Sequence, residues 1–198
     1  MTTTISGTTG VTFPAGGVGN PAGAVVGTTD TQTLTNKTLS TGLVMGASAI
    51  TSSTSQASTS GTAITFTGIP SWVKRITVLF NGVSTSGTSL VQVQIGAGSV
   101  TTSGYTSNAQ SSGANSAPTT GFGVDTTGSA AYTRGGALRI SNITGNTWVA
   151  DGVVGAIGTF SASIVGYIAL GGTLDRVVVT TVNGTDTFDA GSINILYE

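Results

Sequence analysis

An all-β chain with a jelly-roll-like β-sandwich head is the fold this sequence predicts, on three observations. The 198 residues include 38 Thr, 23 Ser and 31 Gly. Gly and Ser are poor helix formers, and Thr, stiff at its first side-chain torsion, suits a pleated surface. From residue 62 onward, apolar side chains alternate with polar ones at a period of two, the pattern of half-buried strands. Asn81-Gly82, Asp151-Gly152 and Asn183-Gly184 tolerate positive φ and predict turns, and Gly171-Gly172 separates two strong runs.

Ile64 and Phe66 define the first expected strand, Ile76, Val78 and Phe80 the second, and Val91, Val93 and Ile95 the third. Further strands are expected over 137–143, with Leu138 and Ile140 inward, and over 147–157, 162–170 and 174–182. A last one covers 191–197, where Ile193, Ile195 and Tyr197 share a face. Roughly eight strands at this spacing suit a sandwich. Trp72, after Pro70, is expected to pack. The interval 97–130 is polar and Gly-rich, with Pro118 inside it and Tyr105, Phe122 and Tyr132 in it or at its margin. It is expected to be a long loop, and loops beyond about 15 residues are commonly functional or disordered.

The N-terminal part reads differently. Residues 1–40 combine Gly-rich turns with Pro14 and Pro21 and sustain neither strand nor helix periodicity, so they predict an irregular, extended segment. Val11, Phe13, Val25 and Val26 are its candidate docking side chains, ordered on a partner. Residues 51–61 hold no apolar side chain larger than Ala57 and read as a linker. The expected organisation is therefore an attachment segment and neck over 1–40, a linker over 41–61 and the head over 62–198.

Composition narrows the function classes. Charged residues are 7% of the chain, against about 25% in an average domain, and the net charge is −1. Lys37, Lys74, Arg75, Arg134, Arg139 and Arg176 are scattered, so no basic stripe offers itself to a phosphate backbone and no nucleic-acid partner is expected. No run approaches the roughly 18 apolar residues of a membrane span, so no membrane insertion is expected. Cysteine is absent, which removes disulfides and thiolate chemistry.

Histidine is absent too, and with it the usual general base and the commonest metal ligand. No catalytic residue, metal or cofactor is expected. A glycosidase-type carboxylate pair needs two acids roughly 5 to 9.5 Å apart. Asp186 and Asp189 are close in sequence, but a turn-capping role suits them better. Asp125-Thr126-Thr127-Gly128 departs from the D-T-G of aspartic proteases by an inserted Thr and has no second copy. Carbohydrate binding needs no catalyst, only aromatic faces and polar groups that fix orientation. Tyr105, Tyr132, Arg134 and Trp148 are the candidates, with a place in the core as the competing reading for Trp148.

Residues 27–39 read G-T-T-D-T-Q-T-L-T-N-K-T-L. This run resembles the neck motif of bacteriophage tail-fibre proteins, where it follows a short virion-attachment region. Two further stretches resemble fibres of short-tailed phages: Thr65 to Ile76, T-F-T-G-I-P-S-W-V-K-R-I, and the closing Ala190 to Glu198, A-G-S-I-N-I-L-Y-E. The resemblance implies a structural virion protein rather than an enzyme, present in the virion as a homotrimer. Its N-terminus would dock on other virion proteins, its neck would trimerise through Thr31, Leu34 and Leu39, and its head would attach to a host cell-surface glycan or protein. The chain lacks the long repetitive shaft of a typical fibre. That leaves open a short fibre, a head fibre or capsid decoration protein, and a baseplate or tail adaptor without host contact. A depolymerase would need a clustered acid pair in a groove.

Overall fold

The structure, a computed structural model, describes residues 50–198 and the backbone of two short strands near the N-terminus. The chain divides into two compact units, Met1–Val44 and Met45–Glu198. In the first, β1 (Thr4–Ser6) and β2 (Gly10–Thr12) pair antiparallel, with Ile5 opposite Val11. Phe13, Val25, Val26, the Val11 side chain and the neck positions Thr31, Leu34 and Leu39 lie outside the described residues.

The second unit is all-β. In chain order its strands are β3 (Thr51–Ser52), β4 (Gln56–Ala57), β5 (Ala63–Thr67), β6 (Arg75–Thr85), β7 (Val91–Ala97), β8 (Ser99–Val100) and β9 (Thr106–Ser111). There follow β10 (Ala114–Ser116), β11 (Phe122–Gly123), β12 (Arg134–Thr144), β13 (Thr147–Ala156), β14 (Phe160–Ala169), β15 (Arg176–Thr181) and β16 (Phe188–Tyr197). The larger sheet runs β10, β9, β14, β13, β12, β6, β16, β3, with β4 also on β16. The smaller runs β11, β7, β15, β5, with β8 also on β7. All of these pairings are antiparallel.

Period-two alternation makes this a sandwich. Ile76, Val78 and Phe80 of β6, Leu138 and Ile140 of β12, Ile164 and Ile168 of β14, and Ile193 and Ile195 of β16 supply one side of the core. Ile64 and Phe66 of β5, Val93 and Ile95 of β7, and Val177 and Val179 of β15 supply the other. Each such side chain contributes about 1.5–3 kcal/mol on burial, offset by the entropy of ordering the chain. The expected β-sandwich is thus what the structure shows, and all eight expected strands are present.

Two expected breaks are continuous strand. Asn81-Gly82 lies inside β6 and Asp151-Gly152 inside β13. Gly82 has φ +66 and Gly191 on the neighbouring β16 has φ +89. A Cβ on Gly191 would stand 2.3 Å from the Gly82 carbonyl oxygen. Register shifts in the β6–β16 pairing on both sides of Ala190, and in β6–β12 at Arg134/Gly135, flank these glycines. The positive φ therefore serves a bulge, not a hairpin. Asn183-Gly184 does turn the chain between β15 and β16.

The linker expectation for 51–61 is also corrected. β3 and β4 both add to β16, and Ser58 is buried with its hydroxyl donating to the Ala190 carbonyl at 2.8 Å. Small hydroxylated side chains here saturate a sheet edge with hydrogen bonds instead of floating in solvent. The interval 97–130 is likewise no free loop. β8 pairs with β7 in the smaller sheet, β9 and β10 extend the larger sheet past β14, and β11 returns to β7. Apolar alternation is faint here because β8, β10 and β11 are two or three residues long and β9 buries only Ser107 and Ala109.

Candidate functional site

The long strands give the head two ends. At one, Thr51 pairs with Tyr197, and the Lys74 and Arg75 amides donate to the Glu198 carbonyl at 2.8 and 2.9 Å. The chain thus enters the head beside its own C-terminus. The other end lies where β12 begins at Arg134 and β13 ends at Ala156. Eleven residues of β12 span about 35 Å at the rise of a strand.

At that far end is a groove of about 400 Å³. Gly135, Gly136 and Gly155 form its floor, and Val153, Ile157 and Phe160 are its apolar walls. Thr159 and Ser161 add hydroxyls, and no lining residue is charged. The glycines are structural necessities. A Cβ on Gly136, whose φ is +133, would meet the Val153 carbonyl at 2.3 Å, and one on Gly135 would meet the Ile157 side chain at 3.0 Å. Ile157, 70% exposed, is carried by the tight β13–β14 turn, where its amide donates to the Thr133 carbonyl at 2.9 Å. Tyr132 packs edge-on against Phe160, ring centroids 5.5 Å apart.

Of the four predicted glycan-contacting residues, only Tyr132 stands beside this groove. Tyr105 is buried, set edge-on at 5.0 Å to Phe122. Its hydroxyl accepts from the Ile95 amide at 2.8 Å and donates to the Ile95 carbonyl at 3.1 Å, satisfying the edge of β7 between β8 and β11. Burial pushes the Tyr105 phenol up to about 12, against the opposing Ile95 hydrogen bond.

Trp148 is 4% exposed and belongs to the core. Arg134 is fully buried and pairs with buried Asp125, Nε to Oδ2 at 2.7 Å. The Val91 amide also donates to Asp125 Oδ2, at 3.2 Å, and Arg134 Nη1 to the Tyr132 carbonyl at 3.4 Å. Burial raises the Asp125 carboxyl, while the Arg134 charge and hydrogen bond and the Val91 amide oppose the rise. Tyr105, Trp148 and Arg134 are therefore interior side chains, buried away from the head's surface. Asp186 caps a turn, accepting from the Ser89 amide at 2.8 Å and from Asn183 Nδ2 at 2.7 Å.

The near end carries what the sequence reading missed. Trp72, expected to pack, is 56% exposed, its ring 5.9 Å from that of Tyr197. Beside Tyr197, a cleft of about 380 Å³ is lined by Lys74, Arg75, Ser141 and Glu198, with Arg75 Nε on Glu198 Oε1 at 2.7 Å. The outer face of the larger sheet is also apolar: Val153, Val165 and Tyr167 are more than half exposed. Val153 stands opposite Ala137 and Tyr167 opposite Val149, with Ser163, Asn108 and the Arg139–Asp151 and Arg75–Glu198 pairs on the same face. An antiparallel sheet open to water on one side ordinarily alternates to polar residues there.

No family model, curated protein or solved structure matches this chain.

Proposed function

We propose that this chain is a structural virion protein, a short trimeric phage fibre anchored by its N-terminus and presenting the β-sandwich to the host surface. The observation that carries the reading is the thirteen-residue run over 27–39, which resembles the fibre neck motif. The head geometry is compatible with it. The first described strand of the head lies at one end, and an uncharged groove with aromatic and hydroxyl groups lies at the other. Such a surface suits a neutral sugar: ring faces pack on Ile157 and Phe160, and hydroxyls bond to Thr159, Ser161 and backbone groups. The role assigned to the aromatic cluster thus moves from Tyr105 and Trp148 to Tyr132 and Phe160.

The exposed apolar face of the larger sheet favours a second reading, a decoration or adaptor protein whose head packs against another virion component. Light scattering of the full-length chain separates the two. A trimer that falls to monomer when residues 1–44 are removed supports the fibre reading. A full-length monomer overturns the trimer and moves the assignment to the adaptor. Glycan-array binding by the trimer, lost in Ile157→Asp, tests the groove itself.

A further inference from the structure

We infer that the core of the head contains an internal hydration site built by Asp125 and Arg134, where ordered water bridges the two side chains. Both are fully buried, and each satisfies only part of its hydrogen-bonding capacity with protein. Asp125 Oδ2 accepts from Arg134 Nε and the Val91 amide, whereas Oδ1 has no protein partner. Arg134 Nη1 reaches the Tyr132 carbonyl, whereas Nη2 has none. One free acceptor and one free donor thus belong to the same ion pair, and covalent geometry keeps them within reach of one or two bridging water molecules.

Thr85 adds a third group. Its hydroxyl is buried without a protein partner, two residues beyond Val83, the residue that pairs with Arg134 across the sheet. Inside a protein an unmet charged donor or acceptor is costly, and buried water makes 2–4 hydrogen bonds to such groups. A charged acceptor and a charged donor on one ion pair are the partners such water requires, with the Thr85 hydroxyl further along β6. An anion is a poor occupant, because Asp125 already neutralises Arg134, and a cation meets the guanidinium. Water serves both sides. Its place matters because Arg134 immediately precedes Gly135 and Gly136 of the groove floor, and Asp125 tethers the segment that leads to Tyr132.

The test is a crystal structure of the full-length chain at a resolution that shows ordered solvent, with water magnetic relaxation dispersion in solution. The expected result is a density peak about 2.7–3.2 Å from both Asp125 Oδ1 and Arg134 Nη2. The double variant Asp125→Leu with Arg134→Met, checked for native circular dichroism, is expected to lose at least one long-lived water. Arg134 Nη2 closing directly on Asp125 Oδ1, with no solvent peak between them, overturns the inference. So does an unchanged long-lived water count in a folded double variant. The crystallographic arm decides the matter if that variant fails to fold.

Discussion

Thr51 lies opposite Tyr197 across the edge of the larger sheet, so the first described strand of the head is held by the last. Next to it, the Ser53 amide donates to the Ile195 carbonyl at 2.9 Å and the Ser58 amide to the Gly191 carbonyl at 3.0 Å. Gln56 Nε2 donates to the Thr65 carbonyl at 2.7 Å, linking this segment to β5 in the other sheet. A stretch that looks like a flexible tether is therefore part of what closes the sandwich.

A shortened chain starting at residue 62 is expected to fold less stably than one starting at residue 45. It loses the Ser53, Gln56 and Ser58 bonds and uncovers β16. At about 0.5–1.5 kcal/mol for each hydrogen bond the loss is roughly 2–4 kcal/mol. Urea unfolding followed by tryptophan fluorescence checks this. Equal midpoints for the two fragments would show that 51–61 adds nothing to the head.

Asp125→Ala is expected to destabilise the head by about 3–5 kcal/mol, because it leaves Arg134 charged, buried and unpaired. Replacing both partners with apolar residues of similar volume should cost much less, since neither charge is then stranded. Chemical denaturation of the three proteins gives the comparison. A single variant no weaker than the double one would contradict the burial of the pair.

The two tryptophans should behave oppositely. Trp148→Ala removes a ring from the core and should cost about 3–5 kcal/mol. Trp72→Ala removes a largely exposed ring that contacts Tyr197, and a loss under about 1 kcal/mol is expected. If instead Trp72→Ala abolishes binding to a partner while leaving the melting temperature in place, the near end of the head is a contact surface.

What could be read from the sequence follows from how each feature is encoded. Alternation at Ile76, Val78 and Phe80, or at Ile193 and Ile195, is a direct imprint of one buried face, so those strands were legible. β9, with Ser107 and Ala109 as its inward residues, carries almost no apolar contrast and was not. Gly82 signals positive φ but not whether a turn or a bulge uses it, and the partner that decides, Gly191, is over a hundred residues away. The site was hidden for another reason, since its residues lie close in sequence, between 135 and 161. Aromatic character at Tyr105 and Trp148 said nothing of exposure, and the groove floor depends on glycines of β12 and β13 lying opposite one another. The signal available was the density of glycine at 135, 136, 155 and 158 around Ile157.

Acid should weaken the head through its turn carboxylates. Asn183 Nδ2 and the Ser89 amide hold Asp186 below the ordinary carboxylate range, and the Arg176 hydrogen bond does the same for Asp175. A carboxyl whose folded pKa is depressed stabilises the fold above its unfolded value of about 3.9, and that contribution fades as pH falls through the folded value. Both groups are half-buried at the surface, so solvent screening keeps each contribution small. Asp125 runs the other way, because burial raises its pKa and makes its ionisation unfavourable to folding. Stability measured from pH 6 down to pH 2 is therefore expected to fall mainly below pH ~4. Asp186→Asn should flatten that fall by keeping a neutral acceptor for the Ser89 amide at every pH. A variant with the same acid slope as the unmodified chain would show that the Asp186 turn does not carry the pH dependence.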